Sequence, residues 1–299
     1  MDHAKRPAAG NAGVTVVGCG YTGRRLLQRC LDTRRDFFGT VRSADAADRL
    51  RAAGAGAGIL DLDQPGDALP PEWTAQRALI YMAPPPDTGD TDPRFRACLA
   101  RITAFPESVV YLSTTAVYGD TGGRTVDETT PAAPASARGR RRLDAEHALR
   151  DWGIATGVAV RILRVPGIYG PGRLPLERLR SGAPVARAGE TGPGNRIHVD
   201  DLAAVSLAAA DYPGTEIVFN VGDGDHRGMD EYFRAVARLA GLPAPPELPL
   251  EELLAQVSPA MRGFLVESRR VDTTRMRSVL GFEPRYPAME DGIAASLEA

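Results

Sequence analysis

The sequence predicts an α/β chain: a doubly wound parallel sheet followed by a smaller C-terminal substrate lobe. Three observations carry that expectation. Short β-branched or apolar runs alternate with helical segments through the first part of the chain. The first run, Val14 to Val17, leads through Gly18, Gly20 and Gly23 into the apolar pair Leu26 and Leu27, flanked by Arg. From Gly172 onward the strand-like stretches shorten, and Pro and Gly become frequent.

The glycines between the first strand and the first helix are spaced G-x-G-x-x-G, the pattern of a Rossmann dinucleotide site. The first permits a tight turn, the second lets backbone approach a pyrophosphate, and the third packs helix on strand. The helix N-terminus then offers free N–H groups and a positive dipole end. An ordinary Gly-rich turn is the plain alternative, but the motif opens the first βαβ unit, which favours the nucleotide. Gly18, Gly20, Tyr21, Thr22 and Gly23 are the expected contacts.

The elements follow in order. A helix is expected from Thr22 to Asp32 and a second strand from Phe37 to Arg42. An NAD site usually carries an acid at the end of that strand, on the ribose hydroxyls. Here the end reads Gly39, Thr40, Val41, Arg42, Ser43, and Arg42 suits a 2′-phosphate. NADP is therefore the expected cofactor, with NAD as the alternative. Ala44 to Ala53 is helical, and a Gly/Ala loop follows. Gly58 to Asp63 forms strand three and its exit, putting Asp61 at the cofactor. Ala78 to Ala83 is strand four, stopped by Pro84, Pro85 and Pro86, so Ala83 and Pro84 border the crevice; a structural turn reads equally well. A helix from Pro93 to Phe105, a strand from Ser108 to Leu112, a strand from Val158 to Val165 and a late strand from Ile217 to Val221 complete the pattern. The expected organisation is a flexible tail at 1–12, a nucleotide-binding domain at 13–171 to which 199–222 returns, and a substrate lobe over most of 172–299.

Composition narrows the classes of function. The chain has 299 residues, 43% hydrophobic and 25% charged, with a formal net charge of −2. That is ordinary for a globular protein and leaves no polybasic surface for nucleic acid or membrane. The start lacks the apolar core of a signal peptide, and no stretch is apolar enough to span a bilayer. Cys19, Cys30 and Cys98 are scattered, implying a reducing compartment, and a cytoplasmic location is expected. The four histidines are far apart and no Cys/His cluster has ligand spacing, so no metal is expected. Lys5 is the only lysine, and Asn11, Asn195 and Asn220 are the only asparagines.

The strand ending in Ser113 and Thr114 continues as Thr115, Ala116, Val117, Tyr118, Gly119. This resembles the S-[ST]-x-x-V-Y-G signature of the extended short-chain dehydrogenases/reductases, the NAD(P)-dependent epimerase/dehydratase family. Four further stretches resemble that family in its order: Arg164 to Arg173, the Ile197-His198-Val199 segment, Phe219 to Gly222, and Val271 to Pro284. The resemblance implies a catalytic Asn, Ser/Thr, Tyr and Lys. Thr114 matches the Ser/Thr. Aligning the family's Glu with Glu146 puts Arg142 at the Lys position and Arg138 at the Tyr position. No Asn lies between Asn11 and Asn195. Three of four members are thus missing, as in an atypical subgroup that keeps the nucleotide site and loses the Tyr/Lys pair. Thr115-Ala116 replaces the Asp-Glu of sugar-nucleotide 4,6-dehydratases. Gly194 stands where epimerases carry a diphosphate-gripping Arg, with Arg196 or Arg173 as substitutes.

On this reading Thr114, Arg142 and Tyr169 are the expected catalytic residues. Arg142 supplies the charge and ribose contact of the lost Lys; Tyr169 is the candidate proton donor beside the nicotinamide. Arg138 stabilises an oxyanion or grips an acidic substrate, and reads equally well as a solvated arginine in a basic helix start; it cannot act as acid or base because guanidinium keeps its proton. Tyr118, Arg173 and His198 complete the expected substrate contacts, though Tyr118 and His198 also read as packing residues, and Ile168 lines the cofactor. The expected activity is that of an oxidoreductase- or epimerase-type protein, with hydride transfer on a small polar carbonyl or hydroxyl compound; the alternatives are a noncatalytic NADP-binding sensor or scaffold and an isomerase with tightly held nucleotide. A homodimer is compatible with the sequence.

Overall fold

The computed structural model describes residues 12–298, so most of the expected tail lies outside the described residues. The first half runs β1 (Gly13–Val17), α1 (Tyr21–Asp32), β2 (Phe37–Val41), α2 (Ala44–Ala52), β3 (Gly56–Ile59), β4 (Arg77–Tyr81), α3 (Pro93–Ala100), β5 (Ser108–Thr114) and β6 (Thr125–Val126). It continues with α4 (Ala137–Thr156), β7 (Ala159–Val165), β8 (Gly167–Tyr169), α5 (Leu176–Arg180), β9 (Val185–Ala186), β10 (Arg196–His198), α6 (Val199–Asp211) and β11 (Val218–Asn220). The C-terminal part holds α7 (Met229–Leu239), β12 (Glu247–Leu248), α8 (Leu250–Gln256), α9 (Pro259–Val266), β13 (Arg270–Val271), α10 (Thr274–Leu280) and α11 (Met289–Leu297).

Seven strands form one parallel sheet in the order β11-β7-β5-β4-β1-β2-β3. The chain winds outward in one direction from β1 to β3 and in the other from β4 to β11. The gap between β1 and β4 is the topological switch point, where such sheets bind ligands beyond their carboxyl ends. Side-chain alternation assigns each strand to both faces. Val14 and Val16 pack with Leu26 and Leu27 of α1 and Leu202 and Val205 of α6. Val17, Leu79, Tyr81, Val109 and Tyr111 pack on the other face with Phe95 of α3 and Leu149 of α4. A strand period of two separates these sets, so one short β-branched run serves two helical layers.

Strand three lies two residues earlier than expected, because its glycines belong to the strand. A Cβ at Gly58 would come within 2.4 Å of the Trp73 ring, and one at Gly56 within 2.6 Å of Phe38. Those two rings lie 5.0 Å apart and cover this edge strand, so Gly is what the packing admits. Asp61 and Asp63 therefore sit in the loop beyond the strand. The helix expected from Pro93 to Phe105 ends at Ala100. Asp92 caps its start, accepting from the Phe95 N–H at 3.0 Å, with Pro93 in the first turn.

A separate apolar cluster forms in the C-terminal part. Tyr169, Leu179, Val185, Tyr232, Phe233, Met289 and Ile293 make it, drawn from β8, α5, β9, α7 and α11. Arg25 of α1 pairs bidentately with Asp200 of α6 at 2.6 and 3.0 Å, fixing the helix after the Gly-rich turn.

Candidate active site

The three glycines of the turn differ in what surrounds them. Gly18 has φ +83°, and a Cβ there would lie 2.6 Å from the Ala83 nitrogen. Backbone conformation and the close approach of the β4 exit both demand Gly. A Cβ on Gly23 would press on Cys19 Sγ at 2.9 Å and Val16 at 3.2 Å, so this glycine sets helix against strand. Gly20 is different: the nearest atom to its missing Cβ is the Gly18 carbonyl, 4.0 Å away. Among the described residues nothing fills that space. Gly20 offers α1 no capping side chain, and the first turn carries no acid. Its orphan N–H groups and positive dipole end face an open cradle, which fits a pyrophosphate.

Tyr21 ties this cradle to the turn after β8. Its hydroxyl donates to the Pro171 carbonyl at 2.9 Å, and the Arg173 guanidinium lies 4.0 Å from its ring centre. Gly170, with φ +151°, makes room: a Cβ would fall 2.6 Å from the Tyr21 hydroxyl. Thr22 is buried in the first turn of α1. Ile168 on β8 packs partly buried against the core beneath α1 and α6.

Arg42 is exposed just past β2, and Ser43 caps α2 by accepting from the Ala46 N–H at 3.3 Å. The acid that bears on Arg42 is Asp63, but Asp63 is gripped bidentately by Arg94 at 2.6 and 2.7 Å, which holds its carboxyl below the usual range. Among the described residues Arg42 makes no hydrogen bond or ion pair. Asp61 accepts from the Asp63 N–H, and the Pro84 carbonyl accepts from Arg94 at 3.1 Å. Arg94 thus organises the loops that border the crevice, a role the sequence did not disclose.

Thr114 ends β5, buried at the carboxyl edge of the sheet. Its oxygen accepts from the Ala116 N–H at 3.3 Å, starting the 3-10 turn Thr115–Tyr118. Among the described residues its hydroxyl donates to nothing, which leaves one donor for a ligand oxygen. Neighbouring Ser113 is committed: it donates to Glu146 at 2.6 Å. Glu146 also accepts from Arg164 at 3.1 and 2.8 Å. This buried pair joins α4 to β5 and β7 directly behind Thr114. A charged residue inside an apolar strand was its signal in the sequence.

Arg142 reaches from α4 to the same strand, donating to the Leu112 carbonyl at 2.8 Å and the Tyr111 hydroxyl at 3.1 Å. The Tyr81 hydroxyl, Asp92 Oδ2 and Arg142 Nε are buried there without partners among the described residues. Burial pushes the carboxyl of Asp92 above its usual range. The cation thus sits pinned beneath the carboxyl end of the sheet. Arg138, one turn earlier on α4, is exposed and makes no hydrogen bond or ion pair among the described residues. Desolvation by the surrounding protein and the charges of Arg142 and Arg141 push its guanidinium below the usual range, against the pull of Glu267.

Four expected roles are corrected by the geometry. Tyr169 is buried in the C-terminal cluster, and its hydroxyl lies 2.1 Å from where a Cβ on Gly292 would stand. The hydroxyl faces α11, is buried without a partner, and is raised by burial, so Tyr169 is no proton donor at the crevice. Tyr118 spends its hydroxyl on Asn220 Oδ1 at 2.7 Å under the Arg164 guanidinium. His198 caps α6, its Nδ1 accepting from the Asp200 N–H at 3.2 Å, while Nε2 meets Ser296 Oγ at 3.2 Å. With both nitrogens engaged it holds α6 to α11. Arg196 cannot replace the absent diphosphate-gripping Arg, because its terminal nitrogens donate to the carbonyls of Arg227 and Gly228, each at 2.9 Å. Arg173 stays exposed on Tyr21. Among the described residues no group of three His, Cys, Asp or Glu could hold a metal ion, and no helix is long and apolar enough to cross a membrane.

A parallel sheet with a glycine cradle at its switch point, and a Thr at the neighbouring strand end, defines a dinucleotide-binding protein of the Rossmann class. Comparison with known proteins narrows this. Residues 95–222 match the NAD dependent epimerase/dehydratase family. A functionally unknown conserved protein from Silicibacter pomeroyi DSS shares the structure with a TM-score of 0.81 and 33% identity, covering 96% of this chain and 98% of that one. Protein YeeZ of Escherichia coli K12 is 27% identical, covering 92% of this chain and 96% of its own. The ADP-L-glycero-D-manno-heptose-6-epimerase of Cupriavidus pinatubonensis is 28% identical over 75% of this chain and 77% of its own. The chain belongs to the NAD dependent epimerase/dehydratase family.

Proposed function

We propose that this chain binds NADP(H) across the β1–β4 switch point and catalyses reversible hydride transfer on a small polar carbonyl or hydroxyl compound. The observation that carries the reading is the open space at Gly20, at an uncapped helix N-terminus where nothing among the described residues needs it. The α1 N-terminus holds the pyrophosphate, and Arg42 with Ser43 takes the 2′-phosphate. The alignment on Glu146 gives Arg142 the position of the family's Lys, and on this reading it contributes its charge to the ribose end of the site. When bound, the nicotinamide gives or accepts the hydride. Thr114 donates its free hydroxyl to the reacting oxygen and stabilises charge developing there. Since Tyr118 and His198 are engaged elsewhere and the Tyr169 hydroxyl is buried against α11, the balancing proton is exchanged with solvent water at the crevice. Membership of the family and the retained Thr114 support an enzyme.

The test is NADPH oxidation over a panel of aldehydes, ketones and keto-sugars. Thr114→Ala should lower kcat by roughly tenfold or more with NADPH affinity nearly unchanged, because the lost bond is made chiefly in the transition state. Tyr169→Phe should leave kcat within about twofold, consistent with a hydroxyl buried against α11. A turnover indifferent to Thr114→Ala would remove it from the site. No turnover with any carbonyl, together with intact NADPH binding, would favour the noncatalytic alternative.

A further inference from the structure

Tyr81 ends β4 at the switch point and stands directly beside Tyr111 of β5 in the sheet register. Their rings lie 5.8 Å apart, and Phe95 of α3 packs on both, at 4.6 and 4.5 Å. The sheet thus presents two phenols side by side under α3 and α4. Tyr111 accepts from Arg142 Nη1 at 3.1 Å. The Tyr81 hydroxyl is fully buried and has no partner among the described residues.

Asp92 reaches the same place from the start of α3. Its Oδ1 accepts from the Phe95 N–H at 3.0 Å, and its own N–H donates to Asp144 of α4 at 2.9 Å, two residues on from Arg142. The carboxylate is therefore held between α3 and α4, fully buried, with Oδ2 unpartnered among the described residues. Burial raises its pKa, against the Phe95 N–H and the charges of Arg142 and Arg94. Arg142 Nε is the third buried atom without a partner there. Each such atom alone is costly to bury. Together the three are complementary, because Nε and the phenol donate while Oδ2 accepts. One water that accepts from the first two and donates to the carboxylate makes three bonds, the usual number for a buried water.

We propose that Asp92 and Tyr81 are positioning residues for Arg142, holding its Nε through one shared buried water. Arg142 is then fastened on two sides. Nη1 donates to the Leu112 carbonyl, two residues before Thr114, and Nε is tied to the buried carboxylate. Nη2 makes no bond among the described residues and Arg142 is partly exposed, so Nη2 is the nitrogen left for a ligand. Ordering a long side chain before the ligand arrives removes that entropy from the cost of binding. The inference rests on the reading of Arg142 at the ribose end of the site and adds the residues that set its place there.

The test is calorimetric titration of NADP+ into wild type, Arg142→Ala, Asp92→Asn, Tyr81→Phe, and the two double variants that join each of the last two to Arg142→Ala. Asn has one acceptor oxygen, so it cannot both cap α3 and receive the water. Arg142→Ala should weaken NADP+ by roughly tenfold or more, the loss of a charged contact. Asp92→Asn and Tyr81→Phe should each weaken it by roughly threefold to tenfold. On the Arg142→Ala background neither should add more than about twofold, because the route to the nucleotide is gone. A merely structural defect would persist on that background. Cooperative urea unfolding shows that each variant is folded. Should Asp92→Asn not fold, Tyr81→Phe, which loses one hydroxyl, carries the cycle alone. Unchanged NADP+ affinity in Tyr81→Phe or in a folded Asp92→Asn, or losses that add in full to that of Arg142→Ala, overturn the inference and leave the cofactor reading standing. Arg142→Ala that binds NADP+ as wild type does removes Arg142 from that reading and the inference with it. A wild type that binds no NADP+ overturns both.

Discussion

Gly18 and Gly20 stand two residues apart and are glycine for opposite reasons. Gly18 is required by the protein, through φ +83° and the contact with Ala83. Gly20 is not required by any contact among the described residues, and on the proposed reading its requirement comes from the nucleotide. Gly18→Ala should therefore lower stability by roughly 1–3 kcal/mol, the range for a strained backbone position. Gly20→Val should leave urea unfolding within about 1 kcal/mol of wild type while abolishing nucleotide binding. If Gly20→Val unfolds as readily as Gly18→Ala, the space at Gly20 is structural and the cradle has been misread. Both glycines were legible in the sequence because a backbone requirement leaves a compositional trace at fixed spacing. The directions of Tyr118, Tyr169 and His198 were not. Each is a residue capable of chemistry, but its orientation is set by a partner far along the chain. Asn220 is 102 residues from Tyr118, and Ser296 is 98 from His198. No local pattern encodes such pairings.

At the scale of elements, α6 depends on a neutral imidazole. His198 is buried, caps the helix and bonds Ser296, and burial pushes its pKa down to about 4 against the pull of Asp200. Arg25 and Arg285 oppose its protonation as well. The unfolded ring protonates near pH 6.5 and the folded one near 4, so the unfolded state binds more protons between those values. The contribution is complete above about pH 6.5 and is lost as pH falls toward about 4. Its size is on the order of 3 kcal/mol. His198→Asn keeps a capping oxygen and cannot titrate. Wild type should lose more stability than His198→Asn between pH 7 and pH 4.5 in urea unfolding; parallel losses would show that the ring is protonated in the fold. Elements were recovered best where both faces of a strand are apolar, as in β1, β4 and β5. They were misplaced at β3, where Gly56 read as loop and the strand was expected to start only at Gly58. The reason is tertiary: Phe38 and Trp73 need the space a Cβ would fill, and ring packing overrides strand propensity.

For the whole molecule, the sheet order places β1, β4 and β5 side by side, so Gly20, Ala83 and Thr114 meet along one carboxyl edge. That meeting follows from right-handed crossovers of a parallel sheet, which is why the fold and its crevice could be read from order alone. The buried Glu146–Arg164 pair and the pinned Arg142 could not be, since they join α4 to strands by contacts that periodicity does not specify. The account's central claim is that this edge takes NADP(H), with Arg42 on the 2′-phosphate. The most direct measurement is a parallel titration of NADPH and NADH by nucleotide fluorescence, on wild type and on Arg42→Ala. The account predicts that wild type prefers NADPH by roughly tenfold to hundredfold, the value of a charge-assisted contact of about 1.5–3 kcal/mol, and that Arg42→Ala erases the preference while retaining NADH affinity. Equal affinity of wild type for the two would contradict the role of Arg42, and binding of neither would contradict the site itself.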